Sequence, residues 1–382
     1  MVTLQSKLPN VGTTIFTRMS AMAAECGAIN LSQGFPDFEA PLGLREALAR
    51  ATMEGHNQYA PMAGLPALRE QLAHQLQVTR GVRVNPDTEI TVVPGATEGI
   101  YCAVMASVRS GDEVVVLDPC YDSYAPSIEL AGGVAVHVPL SEDGFTPDWQ
   151  RIRAAITSRT RMIMINTPHN PTGSTFTVQD MDELERLVEE HDLLVCSDEV
   201  YEHLVYDGKR HCSVLQWEGL RQRSFAHYSF GKTFSVTGWK TGYCVAPPAL
   251  TAELRKVHQF VAFVAVTPVQ QALADFLAAE PNYPQGLGAF YQAKRDLFIY
   301  ALRDSRFAIT PSSGTYFQLL DYSAITSTPD HQLCEQWTRE LGVASIPISP
   351  FSQEPPERQV LRFCFAKSDE VLLQAAEILC KI

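Results

Sequence analysis

The chain has 382 residues, of which 46% are hydrophobic, ample for a large core and, at roughly 100–200 residues per domain, for two domains or three. Its formal net charge of -13 excludes nucleic acid as a partner, because phosphate binding needs a basic face. No run of about 18 apolar residues exists to span a bilayer, and no basic amphipathic stretch suggests a membrane surface.

Taken in chain order, the opening segment Met1-Val-Thr-Leu-Gln-Ser-Lys-Leu-Pro lacks the charged-then-apolar layout of a signal peptide. Residues 1–44 carry Pro and Gly at turn positions and read as an N-terminal arm lying against a smaller C-terminal domain. Residues 45–285 alternate short apolar runs with helical patterns. Ile90–Val93, Glu113–Asp118, Val134–Pro139, Arg161–Asn166, Leu193–Asp198, Phe225–Ser229 and Tyr243–Ala246 read as strands. Most are apolar throughout, as expected of strands covered on both faces. Thr97–Ser110 reads as a helix that stops at Gly111, and Thr177–His191 as another with Thr177 as its N-cap. The expectation is a large α/β domain around a mostly parallel, seven-stranded sheet.

Pro281–Asp304 then reads as a long helical connection into a smaller α+β domain of residues 286–382. Its expected strands are Gly314–Asp321, Val343–Ile346 and Val360–Phe365, followed by a helix over Asp369–Leu379. The nine cysteines are odd in number, scattered and without a C-x-x-C pair. They read as free thiols in a reducing, cytoplasmic compartment, and no metal-ligand spacing is present.

Open α/β sheets gather their functional groups at the carboxyl ends of strands. The residues just after the apolar runs are Gly95-Ala96-Thr97, Asp118-Pro-Cys-Tyr121, Asn166-Thr-Pro-His-Asn170-Pro-Thr-Gly, Asp198-Glu-Val-Tyr201 and Ser229-Phe-Gly-Lys232. Lys232 beside a buried strand would have a lowered pKa and become a nucleophile toward carbonyls, where the ordinary alternative is a solvated loop lysine. Asp198 at a buried strand end needs a partner, either a helix N-terminus, an arginine or a protonated ring nitrogen. Gly95-Ala96-Thr97 turns from strand to helix and would offer free amides to a phosphate, with Ser229 adding a hydroxyl. Tyr121 can stack on a flat ring, and Tyr201 and Asn170 can bond a ring hydroxyl, although tyrosines at such places are often plain core. Pro119 and Pro171 are candidates for cis peptide bonds. Arg362, flanked by Leu361, Phe363 and Phe365, wants a bidentate carboxylate, either a structural Asp or Glu or that of an amino acid.

The ordered set Asn170-Pro-Thr-Gly, Asp198-Glu-Val-Tyr201, Ser229-Phe-Gly-Lys232-Thr-Phe-Ser-Val-Thr-Gly-Trp-Lys240 and Arg362 resembles the class I/II aminotransferases of pyridoxal-5′-phosphate (PLP) fold type I. Asn30-Leu-Ser-Gln-Gly-Phe-Pro-Asp, Asn57-Gln-Tyr-Ala-Pro-Met and Ser345-Ile-Pro-Ile-Ser resemble a subgroup acting on methionine, related to the kynurenine and glutamine enzymes. The resemblance implies an aspartate aminotransferase-like fold, a PLP cofactor and a homodimer. Lys232 would hold the cofactor as a Schiff base and carry the proton, and Asp198 would pair with the ring nitrogen. Tyr201 and Asn170 would contact the ring oxygen, and Tyr121 would stack on the ring. Gly95, Ala96, Thr97, Ser229 and Lys240 would hold the phosphate, with Tyr59 reaching into the partner's site. Lys240 stands where most of the wider family has Arg, a point charge in place of a fork. Arg362, Asn170 and the Gly34 backbone would take the substrate carboxylate. Ile15, Phe16, Tyr59, Tyr121, Tyr124 and Phe263 would give an apolar and aromatic lining, with no second cation for a dicarboxylic side chain. Methionine, phenylalanine, tyrosine, glutamine or kynurenine would fit such a pocket as donor to a 2-oxo acid, and the resemblance puts methionine first. The rival readings are a C–S β-lyase on the same fold and a PLP-binding regulator, which would need a basic DNA-binding segment that this chain lacks.

Overall fold

The computed structural model describes residues 4–382; Met1, Val2 and Thr3, which open the segment compared with a signal peptide, lie outside the described residues. Twelve strands are found among them: β1 (Ile29–Asn30), β2 (Ile90–Val93), β3 (Glu113–Asp118), β4 (Val134–Pro139), β5 (Thr160–Asn166), β6 (Leu194–Asp198), β7 (Ser224–Ser229), β8 (Gly242–Val245), β9 (Phe317–Asp321), β10 (Val343–Ala344), β11 (Ile346–Pro347) and β12 (Val360–Cys364).

Seven strands form the central sheet in the order β2-β8-β7-β6-β5-β3-β4. β3 to β7 run parallel, while β8 is antiparallel to both of its neighbours, β2 and β7. The continuous apolar runs follow from coverage on both faces. In β3, Val115 and Leu117 join one buried cluster and Val114 and Val116 the other. In β5, Ile163 and Ile165 face the first cluster and Met162 and Met164 the second. Alternate side chains thus feed opposite cores, and a charge at either parity would be buried. β4, at the sheet edge, is largely half-exposed.

A third core joins the N-terminal and C-terminal parts of the chain, packing Met19 and Met22 with Phe298, Leu361, Phe363 and Leu372. The first residues form a helix, Ile15–Cys26, and β1 pairs in parallel with β10. The expected strand Val343–Ile346 is two strands with different partners. β10 pairs with β1, and β11 pairs antiparallel with β12 in the sheet β11-β12-β9. The chain switches sheets at the buried Ser345, whose hydroxyl lies 3.1 Å from Cys334 Sγ.

The helix expected over Thr97–Ser110 spans Ala96–Ser107. Val108 leaves it at ψ 133° to bury its side chain, before Gly111 turns the chain at φ +87°. Thr177 caps helix Val178–Glu190 as expected, in a reciprocal box with Asp180. The long connection is helix Tyr283–Ala301, and Asp369–Leu379 is helical as expected. Helices Leu42–Met53, Pro66–Arg80, Pro248–Val261, Thr267–Ala279 and Asp330–Glu340 complete the layers. All nine cysteines are free thiols, and no helix among the described residues is long and apolar enough to cross a membrane.

Candidate active site

The last residues of β5, β6 and β7 are Asn166, Asp198 and Ser229, and Asn166 sits in register with Asp198. Parallel pairing sets these ends side by side, which is how residues more than 30 positions apart meet. Together with the turn after β2 they wall a cavity of about 150 Å³. Of the expected residues, Gly95, Ala96, Thr97, Tyr121, Asn170, Asp198, Tyr201, Ser229, Lys232 and Lys240 line it. The Asp118-Pro119 and Asn170-Pro171 bonds are cis, as is Thr167-Pro168, which the sequence did not single out.

Lys232 lies on the short helix Phe230–Thr233, one turn beyond β7. Its Nζ donates to the Gly34 carbonyl at 3.2 Å and sits 5.6 Å from the ring centroids of both Tyr201 and Tyr316. The Tyr316 hydroxyl donates to the same carbonyl. Burial lowers the Lys232 ammonium to about 8, helped by the charges of Lys240 and Arg362. The amine is therefore part neutral near pH 7, as a nucleophile must be.

Asp198 is held by the Tyr124 hydroxyl, which donates to Oδ2 at 2.6 Å, and by the Val200 amide at 3.3 Å. Asn166 Nδ2 donates to the Asp198 carbonyl at 2.8 Å, fixing the strand end. Burial raises the carboxyl to about 6, against the pull of Tyr124, Val200 and Lys232. Tyr124 had been expected in the substrate lining; its hydroxyl instead meets Asp198, because it begins the helix Tyr124–Leu130 that packs behind Tyr121. Burial pushes the Tyr121 phenol up to about 12 and raises that of Tyr201 beyond its usual range, so both stay protonated.

At the far wall, helix Ala96–Ser107 begins at Gly95, which adopts φ +83°. Glu98 and Gly99 make the first intrahelical bonds, back to the Gly95 carbonyl, so the Ala96 and Thr97 amides precede the ladder. A Cβ on Gly95 would lie 3.3 Å from Lys240 Nζ, which places that ammonium over the turn. A Cβ on Gly242 would fall 2.3 Å from the Tyr228 carbonyl and 3.1 Å from the Ala96 amide, so only glycine lets β8 pass this close.

Arg362 is buried on β12. Its Nη1 donates to Asn170 Oδ1 at 2.7 Å and its Nη2 to the Ser32 carbonyl at 2.8 Å. Its guanidinium stacks 3.9 Å from the centroid of Phe317 and 5.1 Å from that of Phe16. Its Nε has no partner, and among the described residues no carboxylate pairs with it. The structural Asp or Glu weighed as the ordinary partner is absent among them. Burial lowers this guanidinium's pKa, and Asp122, too far for an ion pair, offsets that only in part.

Three expected residues stand apart. Ile15 and Phe263 do not line the cavity, and Tyr59 is exposed, packed edge-to-face on Phe263 at 5.3 Å. Sequence reasoning did not find Asn166, Ser32, Tyr316 and Phe317. Asn166 was visible as the polar end of an apolar run. The other three act through a ring face, a phenol hydroxyl or a backbone carbonyl, at positions that no sequence pattern marks.

A family model described as "Aminotransferase class I and II" matches residues 27–379. The methionine aminotransferase of Escherichia coli K12 is 50% identical over 373 residues, covering 98% of this chain and 97% of that protein. The crystal structure of YbdL from Escherichia coli, described as having a methionine aminotransferase function, superposes with a TM-score of 0.98 at 49% identity, over 100% of both chains. The N-succinyldiaminopimelate aminotransferase of Mycobacterium tuberculosis superposes with a TM-score of 0.95 at 37% identity, over 99% of this chain and 100% of that one.

Proposed function

The chain belongs to the PLP-dependent class I and II aminotransferases, and from that premise we propose that it moves the amino group of an apolar or aromatic L-amino acid, methionine first, to a 2-oxo acid. The observation that carries this reading is Arg362, a buried guanidinium with an unpartnered Nε and, among the described residues, no carboxylate within ion-pair distance, tied by Asn170 to the cavity that holds Lys232. A substrate α-carboxylate supplies the missing anion.

The residues present fit PLP. The Ala96 and Thr97 amides, the Thr97 and Ser229 hydroxyls and the Lys240 ammonium would hold the phosphate. Asp198, buried and raised, lacks a full cationic partner and would hold the protonated ring nitrogen. Tyr201 and Asn170 would bond the ring oxygen, and Tyr121 would cover the ring face. When bound, PLP supplies the electron sink that stabilises negative charge at the substrate Cα. Lys232 Nζ, held near 8, takes the proton from that Cα. Arg362 and Asn170 orient the carboxylate, and the Tyr121, Tyr201, Tyr316 and Phe317 rings keep water from the proton path.

For the side chain, the cations lining the cavity among the described residues are Lys232 and Lys240, both with other duties. A second carboxylate would find no partner there, which favours methionine or an aromatic donor. The identity to the Escherichia coli methionine enzyme supports the same choice. We read residues 1–44 as an arm, 45–285 as the cofactor domain and 286–382 as the small domain. The protein works as a cytoplasmic homodimer in this reading, with exposed Tyr59, Phe260 and Phe263 at the subunit contact.

Lys232→Ala is expected to lower methionine turnover by at least about four orders of magnitude, since anchor and proton carrier are lost together. Full transamination by that variant overturns the reading. Release of pyruvate and ammonia from cystathionine with no 2-oxo acid present would mark the β-lyase instead.

A further inference from the structure

Behind the phosphate cradle, helix Ala96–Ser107 carries a second cluster that transamination leaves unused. Glu98 and Cys102 sit one turn apart on it, and helix Pro248–Val261 packs His258 against them. Cys102 Sγ donates to Glu98 Oε1 at 3.1 Å, and His258 Nδ1 lies 2.8 Å from that same oxygen. Ligand atoms of the three residues all lie within 4.8 Å of one another. Two further atoms, Glu98 Oε2 and His258 Nε2, are buried without a hydrogen-bond partner. His258 is fully buried, and Glu98 keeps only a narrow exposure.

One carboxylate oxygen thus serves a thiol and an imidazole while its twin faces nothing. A buried carboxylate in that position is short of positive charge. From the geometry we infer that Glu98, Cys102 and His258 form a binding site for a thiophilic divalent cation of the zinc class. Carboxylate, imidazole and thiolate are the donors such an ion takes, with bonds of about 2.0–2.3 Å. Tetrahedral bonds of that length set neighbouring donor atoms roughly 3.3–3.6 Å apart. The cluster therefore has to open by about half an ångström. Ion entry does this as the Cys102 proton leaves to solvent and a sulfur–metal bond forms.

A comparable cluster on the central sheet shows the difference. Asp118 and His137, with Cys120 beside them, also bring ligand atoms together. There both Asp118 oxygens face His137 Nδ1, at 2.8 and 3.0 Å, and one also accepts from the Gln353 amide. That carboxylate is satisfied and calls for no ion. The ligands of the proposed site lie on two helices, with 160 positions between Glu98 and His258, so no spacing in the sequence announces them.

The test uses the PLP-loaded enzyme, titrated with Zn²⁺ by calorimetry and with Co²⁺ by absorbance. One equivalent per chain is expected, with a cobalt–thiolate charge-transfer band and a rise in Tm. Cys102→Ser should weaken binding by at least about ten-fold and abolish the band, while Cys120→Ser changes neither. Retained PLP absorbance reports that a variant is folded, and if Cys102→Ser loses it, Glu98→Gln takes its place with the same expected weakening. Absence of saturable binding overturns the inference, as does unchanged affinity in the folded variant.

Discussion

Asp198 and Glu199 are consecutive, buried carboxylates at the end of one strand, and their surroundings drive them in opposite directions. Asp198 faces the cavity with a tyrosine hydroxyl and one amide, and burial lifts it to about 6. Glu199 faces the core, where burial also opposes its charge. There the bond from His211, the charge of Arg80 and further donors outweigh burial and hold it down at about 2. Those donors include Ser197 Oγ at 3.0 Å, the Val214 amide at 3.0 Å and the Tyr228 hydroxyl at 2.9 Å, with Arg80 bonding Tyr228 at 3.1 Å. A structural carboxylate is saturated by its own protein. The cavity-side carboxylate is left short of positive charge, and that shortage is what a ligand can fill.

The sharpest way to break this comparison is to remove the saturated side. Glu199→Gln should lose about 3–5 kcal/mol of stability in urea unfolding, because Ser197, His211, the Val214 amide and Tyr228 lose their shared charged acceptor inside the core. Turnover per folded molecule should change little. The low pKa means the folded state binds this proton less tightly than the unfolded chain. Its contribution is therefore full above about pH 4.5 and fades as the pH falls toward about 2. A collapse of turnover at unchanged stability would erase the distinction between the two carboxylates.

Asp198→Asn should do the reverse. The folded chain binds the Asp198 proton more tightly than the unfolded one, so cofactor-free stability falls as pH rises from about 4 to about 6. Removing the charge should return up to about 3 kcal/mol at neutral pH, for roughly two pKa units, while turnover drops by about two orders of magnitude or more. Equal melting temperatures for the two cofactor-free proteins at neutral pH would refute the account of Asp198.

Arg362→Lys should cost about 2–3 kcal/mol in kcat/KM, chiefly through KM, since a point charge replaces the fork. Steady-state kinetics with methionine decide it, and an unchanged KM would remove Arg362 from the carboxylate site. Tyr124→Phe should have the smallest effect, about 1.5–2 kcal/mol, from loss of the 2.6 Å bond to Asp198. Asp198 would then titrate higher still, and the acid limb of the kcat profile should move to higher pH. An unmoved limb would show that Tyr124 only fills space.

The sequence was legible wherever a local rule governs. Both-face burial made β2, β3 and β5 to β8 readable as apolar runs, and the N-cap at Thr177 announced its helix. Polar residues just after those runs gave Lys232, Asp198, Asn170 and the Gly95 turn. Less legible was the stretch Val343–Ile346, because a two-residue strand is defined by its partner and not by its own propensity. Tyr124 was misplaced for a related reason: an aromatic residue looks the same whether it lines a pocket or donates a hydrogen bond to a carboxylate.

By itself, then, the sequence determined the sheet, its strand ends and the identities of the groups presented there, because burial periodicity and turn chemistry act over a few residues. Only the tertiary structure decided what those groups lack. Whether a carboxylate such as Asp198 or Glu199 is short of charge, or a guanidinium such as Arg362 short of an anion, depends on donors that arrive from distant segments, and local sequence holds no record of them.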